Sequence, residues 1–282
     1  MTTFVIDIGG TKFTLALFEG DRLTRRHVGA TDREGGKDWM LEQIATIGNE
    51  WRTQTPFERC GISFGGPVLF AEQKIALSTH VGGWSDFRLT SWVLQQFGVP
   101  TLMDNDANVG ALGEFLHGAG KGCDPLFYMT LSTGIGGGIV SGGRVLRGAD
   151  SYAGELGHTV IDPWGPECLC GARGCYERMC CGLWLERDYG KSARELMADP
   201  AFVRTYVVRL AAGLKTCIML LNPARIVIGG GIAKAGAALF DPLREELRRQ
   251  MTAWSRARID VQPAALSDDS VLWGALELAK QL

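Results

Sequence analysis

The chain has 282 residues, 46% of them hydrophobic, with 29 lysines and arginines against 31 acidic residues. That length and apolar share make a globular protein with one large or two modest cores. A net charge of −2 offers no broad positive field, which argues against nucleic acid as the main partner, and no window approaches the ~20 apolar residues of a membrane helix.

The first predicted element is the apolar run Phe4 to Ile8, broken by Gly9-Gly10-Thr11-Lys12 and resumed by the β-type residues Phe13 to Phe18, which reads as a hairpin around a functional turn. Trp39 to Trp51 carries apolar positions at helical spacing, and Arg59 to Phe64 is a short strand ending in Gly65-Gly66-Pro67. Taken by itself, Asp106 is a loop carboxylate capping a helix that starts at Asn108. A second strand, glycine turn and strand follow at Leu126 to Leu131, Ser132 to Gly138 and Ile139-Val140. This reuse predicts two similar lobes with a ligand cleft between them, although the halves show no residue-level repeat. Val207, Leu210, Leu214, Cys217 and Leu221 mark an amphipathic helix that stops before Asn222-Pro223, and the strand Arg225 to Ile228 then runs into Gly229-Gly230-Gly231. Asp241-Pro242 reads as an N-cap with proline at the first helical position, opening a helix to about Met251, and Val271 to Leu282 closes the chain as a helix.

No basic stretch followed by an apolar run opens the chain, so nothing signals export. The 8 cysteines then point to a reducing cytosol, with thiols used for metal. Cys60, Cys123, Cys180, Cys181 and Cys217 read as core or surface fillers.

Asp7-Ile8-Gly9-Gly10-Thr11-Lys12 has the parts a phosphate needs. Glycines let backbone N–H groups approach anionic oxygens, Thr11 can donate, Lys12 brings charge, and Asp7 can hold Mg²⁺ directly or through water. The stretch is not a Walker sequence, and taken alone a hairpin turn with two glycines is more often only a turn. Thr133-Gly134-Ile135-Gly136-Gly137-Gly138 has the same character, and Gly229-Gly230-Gly231 is a third glycine turn at a strand end. With 38 glycines, the backbone is repeatedly made to adopt tight or left-handed geometry, and three such turns favour a nucleotide site.

Between Gly154 and Glu177 stand His158, Cys168, Cys170 and Cys175, three thiols and an imidazole that match the closed tetrahedral sphere of structural zinc. Gly171 and Gly174 allow the tight turn that brings Cys170 and Cys175 together. The competing reading makes these cysteines buried fillers or a disulfide pair. Zinc takes four ligands, so Glu155 and Glu177 are left to accept hydrogen bonds from a polyol, which suggests a sugar.

These residues together resemble the ROK family of bacterial sugar kinases (repressor, open reading frame, kinase) within the actin-like ATPase superfamily, over nearly the whole chain. Asp7 to Lys12 is similar to the family's first phosphate motif, Ser132 to Gly138 to its second, Gly229 to Gly231 to its adenosine motif, and Asn105-Asp106-Ala107-Asn108 to its N-D-A-N. His158, Cys168, Cys170 and Cys175 are similar to its zinc ligands. The resemblance implies an α/β fold of the two-lobed, ribonuclease H-like type, with a cleft between a small and a large domain. The small domain would be residues 1–104 with a C-terminal helix at 268–282, and the large domain residues 105–267. It implies transfer of the γ-phosphate of Mg-ATP to a hexose hydroxyl, the 6-OH by expectation and glucose first among acceptors, with Asp106 as catalytic base. Gly66, Asp86, Asn105, Glu155, His158 and Glu177 would hold the sugar, and His158 would also bind zinc.

Many family glucokinases carry asparagine where this chain has Asp86, an acceptor in place of an amide, which leaves N-acetylmannosamine, N-acetylglucosamine, fructose and allose as further acceptors. A sugar-responsive repressor is the reading from another class. It needs a helix-turn-helix domain ahead of the first phosphate motif, which here starts at Asp7. A sensor without catalysis is disfavoured by Asp106 and the complete turns. The partners expected are a sugar and a second copy of the chain, in the cytoplasm.

Overall fold

The computed structural model describes residues 1–78, 81–252, 255 and 257–282. The chain divides into two compact units. The first comprises Met1–Gly113, Arg147–Tyr152 and Val271–Leu282, and the second comprises Glu114–Leu146 and Ala153–Ser270.

The first unit opens with β1 (Thr2–Ile8), β2 (Lys12–Glu19) and β3 (Arg22–Ala30), then α1 (Gly36–Gln54) and β4 (Arg59–Phe64). A short pair, β5 (Val68–Leu69) and β6 (Lys74–Ile75), precedes α2 (Leu89–Phe97), β7 (Thr101–Asn105) and α3 (Asp106–His117). The expected hairpin is present, with β1 and β2 antiparallel from Thr2 opposite Glu19 to Ile8 opposite Phe13. The sheet order is β3-β2-β1-β4-β7, and β1, β4 and β7 run parallel. β1 is apolar on both faces because both are covered, whereas the edge strand β3 alternates exposed and half-buried residues. Phe4, Ile6, Leu15 and Ile62 meet Met40 and Ile44 of α1 and Val93 and Phe97 of α2 in one core.

The second unit repeats the plan. β8 (Leu126–Leu131), β9 (Ile135–Ser141) and β10 (Arg144–Val145) form the antiparallel side. After α4 (Tyr176–Cys180), α5 (Gly182–Tyr189), α6 (Ala193–Met197) and α7 (Pro200–Leu221), β11 (Arg225–Gly229) joins β8 in parallel. α8 (Ala237–Gln250) and β12 (Val261–Pro263) complete this unit, whose sheet order is β10-β9-β8-β11-β12, and from Val271 on α9 (Ser270–Ala279) belongs to the first. α7 is as the periodicity predicts. Asp199 caps its start by accepting from Ala201 N–H at 2.8 Å, Pro200 occupies the first turn, and Asn222 ends it in the left-handed region at φ 43°.

Two helix starts differ from the sequence reading. α3 begins at Asp106, not Asn108, because the Asn105 amide oxygen at the end of β7 and the Asp106 carboxylate both accept from its Ala107 N–H. α8 begins at Ala237, so Pro242 lies inside the helix and Asp241 is not its cap. Leu239 and Phe240 are fully buried, and their N–H groups both donate to Gly236 O at 3.0 Å, so packing sets the start ahead of the proline. Among the described residues, no helix is long and apolar enough to cross a membrane.

Candidate functional site

In the first unit the three parallel strands end together. Asp7 of β1 lies opposite Ser63 of β4, which lies opposite Asp104 of β7, and the next row is Ile8, Phe64 and Asn105. The turns that follow therefore converge at the carboxyl end of the sheet, the usual ligand end of parallel strands. Ser63 Oγ donates to the buried Asp7 carboxylate at 2.8 Å. Gly9 N–H donates to Lys12 O at 3.0 Å to close the first turn, leaving Thr11 and Lys12 exposed. A methyl group on Gly65 would meet Ile8 O at 3.1 Å, Gly9 Cα at 3.4 Å and Asp106 Oδ2 at 3.9 Å, which measures how close the three turns come.

Asn105 and Asp106 sit where β7 becomes α3. Asn105 Nδ2 donates to Gly66 O at 3.0 Å, so one side chain ties two of the expected sugar residues. Ala107 N–H donates to Asn105 Oδ1 at 2.9 Å and to Asp106 Oδ1 at 2.8 Å. Asp86 has a different setting. It is left-handed at φ 59°, its side chain is 78% exposed, and its carboxylate lies 3.1 Å from Lys74 Nζ, whose pKa is raised first by that hydrogen bond and then by Glu72.

Sequence reasoning did not single out Asp104 or Arg147, and it read Asn108 only as a helix start and the last residue of the N-D-A-N motif. The Asp104 carboxylate, 2% exposed, accepts from Asn105 N–H at 2.8 Å, Asn108 Nδ2 at 3.1 Å and Arg147 Nε at 2.8 Å. The Arg147 guanidinium also lies 3.5 Å over the Phe70 ring. Burial holds the Asp104 carboxyl above the ordinary carboxylate range, with Arg147 and Asn108 acting in the opposite direction. A carboxylate next to Asn105-Asp106 was a signal in the sequence. Arg147 carried none.

In the second unit, Glu177 in the first turn of α4 accepts from Ile135 N–H at 2.8 Å, which binds it to the Thr133–Gly138 turn. The far end of that turn is held by α5, where Gly182 N–H donates to Ser132 O at 2.7 Å and Leu183 N–H to Thr133 O at 3.1 Å. Leu156–His158 forms a tight 3₁₀ turn, and burial first raises the pKa of Glu155 just before it, with His158 lowering and Glu177 raising it further. At the third glycine turn, Gly230 has φ 92°, and a methyl group there would lie 2.4 Å from Leu131 O. Among the described residues of the three expected nucleotide turns it alone adopts a positive φ.

The ligand atoms of His158, Cys168, Cys170 and Cys175 lie within 4.8 Å of one another, with Cys170 Sγ and Cys175 Sγ at 3.5 Å, and none of the eight cysteines forms a disulfide. A tetrahedron with bonds of about 2.3 Å has edges of about 3.8 Å, so this donor set fits zinc. The Ala172 backbone N–H, ahead of the neighbouring thiols, draws Cys170 down to about 7, whereas burial pushes Cys175 up to about 12 and raises Cys168. Gly174, at φ 64°, passes so close to Asp162 O that a methyl group would fall 1.5 Å from it. The remaining cysteines are fillers as read, Cys60, Cys180, Cys181 and Cys217 buried and Cys123 half-buried.

The ROK family model matches residues 3–282. The chain belongs to the ROK family. It is 31% identical over 305 residues to a glucokinase of Thermotoga maritima, covering 98% of this chain and 96% of that one. It is 34% identical over 239 residues to an N-acetylmannosamine kinase of Citrobacter koseri, covering 84% of this chain and 79% of that one. A ROK family glucokinase from Streptomyces griseus, in complex with glucose and AMPPNP, superposes with a TM-score of 0.86 at 27% identity, covering 100% of both chains. The mixed α/β fold in two units is the actin-like ROK fold expected from the motifs.

Proposed function

We propose that this ROK sugar kinase moves the γ-phosphate of Mg-ATP onto the 6-OH of a hexose, with glucose as its acceptor. The observation that carries the reading is the meeting of the Gly9, Gly65 and Asp106 turns at one end of the first sheet, a carboxylate beside a backbone-lined phosphate turn. The glucokinase relative and the glucokinase solved with glucose and AMPPNP support the choice of sugar and donor.

In this reading Asp106 takes the proton of the sugar hydroxyl as that oxygen attacks the γ-phosphorus in line with the leaving ADP oxygen. Asn105, Gly66, Glu155, His158 and Glu177 orient the ring, and fixing a hydroxyl in attack position lowers the barrier by several kcal/mol. Asp86 is the further sugar contact proposed, on release from Lys74. Gly9, Gly10, Thr11 and Lys12 receive phosphate oxygens, as do Thr133, Gly134, Gly136 and Gly137, and Gly229 to Gly231 receive the adenosine. Asp7 would hold Mg²⁺, which neutralises charge on the transferring phosphoryl group. Zinc on His158, Cys168, Cys170 and Cys175 would be structural, fixing the segment between Glu155 and Glu177 so that both acids keep their orientation.

The N-acetylmannosamine kinase relative supports a second acceptor class, 2-acetamido sugars. Phosphorus NMR of a reaction with Mg-ATP and glucose decides between productive transfer and its absence. Hexose 6-phosphate appearing in step with ADP is the expected result, and inorganic phosphate without a sugar phosphate would overturn the reading.

A further inference from the structure

Trp84 is 1% exposed, and its ring packs edge-on against Phe64 at 5.4 Å and Phe87 at 5.7 Å. Its indole Nε1–H is nonetheless left with no acceptor among the described residues. A buried donor without a partner is costly, so the position invites a ligand atom. Trp84 borders a cavity of about 10 Å³ walled by Gly9, Gly10, Gly65, Ser78 and Val81. That volume admits about one oxygen atom. Ser78 Oγ accepts from Val81 N–H at 3.3 Å, which leaves its own O–H to donate. None of the described lining residues is charged. A phosphoryl group is too large for the space and meets no cation among the described lining residues, whereas a single alcohol oxygen suits both the volume and the neutral donors.

We infer that Trp84 determines sugar specificity, its indole N–H donating to one hydroxyl oxygen of the acceptor in this cavity. The inference rests on the hexose-kinase reading and goes beyond it by naming a donor and the chemistry that it reads.

The test compares wild type with Trp84→Phe, which keeps the apolar body and removes the donor, using the accepted sugar and its monodeoxy analogues. The variant raises the sugar KM roughly threefold to tenfold, as loss of one neutral hydrogen bond does, and moves the ATP KM less than about twofold. One monodeoxy analogue costs wild type the same factor and costs the variant nothing further, the signature of a shared contact in a double-mutant cycle. Equal losses for every analogue, no loss at all, or a change confined to the ATP KM would overturn the inference, the last in favour of a phosphate contact. Should the variant fail to fold, or should wild type phosphorylate no sugar, binding alone decides. Among the eight tryptophans, a slowly exchanging ¹⁵N-indole proton of wild type shifts downfield on sugar titration, and no such shift refutes the role of Trp84. Absence of sugar phosphorylation counts separately, against the kinase reading.

Discussion

Asp104→Ala probes what holds the β7–α3 corner, where Asn105 and Asp106 sit. The substitution removes three hydrogen bonds at once, from Asn105 N–H, Asn108 Nδ2 and Arg147 Nε. Asn108 is 3% exposed and its Oδ1 lacks a partner among the described residues, so with Asp104 gone its Nδ2 loses its acceptor as well. Removing one member of a buried pair costs about 3–5 kcal/mol, but Arg147 is 20% exposed and keeps its stack on Phe70, so the lower end applies. The expected loss is about 3 kcal/mol, roughly 6–12 °C in Tm for a chain of this size, read by circular dichroism on heating. The pH dependence carries a sign. Burial raises the Asp104 pKa above its unfolded value, so its titration contributes stability that is fully present below the unfolded pKa and is lost as pH rises through the folded one. The stability of wild type relative to Asp104→Ala therefore falls as pH rises through that window. A loss under about 0.5 kcal/mol, or a relative stability that rises with pH, would refute the reasoning.

Asp106→Asn lowers kcat by about two to four orders of magnitude while sugar binding, followed by calorimetry, changes little. Near-normal turnover would remove Asp106 as base. Cys170→Ser drops the zinc content of purified protein well below one ion per chain and loosens the Gly154–Glu177 segment in hydrogen exchange, whereas retention of stoichiometric zinc would count against the ligand set. Gly230→Ala, strained at φ 92° and crowded by Leu131 O, destabilises by about 1–3 kcal/mol and raises the ATP KM more than the sugar KM; a variant as stable as wild type would contradict the fit.

The hairpins and α7 were legible because β-type runs and a three-to-four-residue apolar repeat are local signals, each closed by glycine, asparagine or proline. The convergence of His158 with Cys168, Cys170 and Cys175 was legible for the same reason, since three of the four lie within eight residues. What the glycines do was only half legible. The first two expected nucleotide turns use glycine for close approach, as at Gly9 beside Lys12 O and Gly137 beside Gly154 O, and among the three turns left-handed backbone is confined to Gly230 of the third. The start of α8 was hidden because burial of Leu239 and Phe240 overrides the proline signal at Pro242. The Asp104–Arg147 pair joins residues 43 apart, and the orphaned Trp84 N–H exists only once the loop has packed, so neither leaves a pattern in the chain.

The central claim is a phosphotransferase acting on a free hexose, and ADP release with Mg-ATP over a panel of sugars tests it most directly. The panel holds glucose, mannose, fructose, allose, glucosamine, N-acetylglucosamine and N-acetylmannosamine, with zinc-loaded protein. One strong responder, glucose by expectation, with activity abolished in Asp106→Asn, is the result the account predicts. ADP release that no sugar stimulates, from folded protein loaded with zinc, would contradict it.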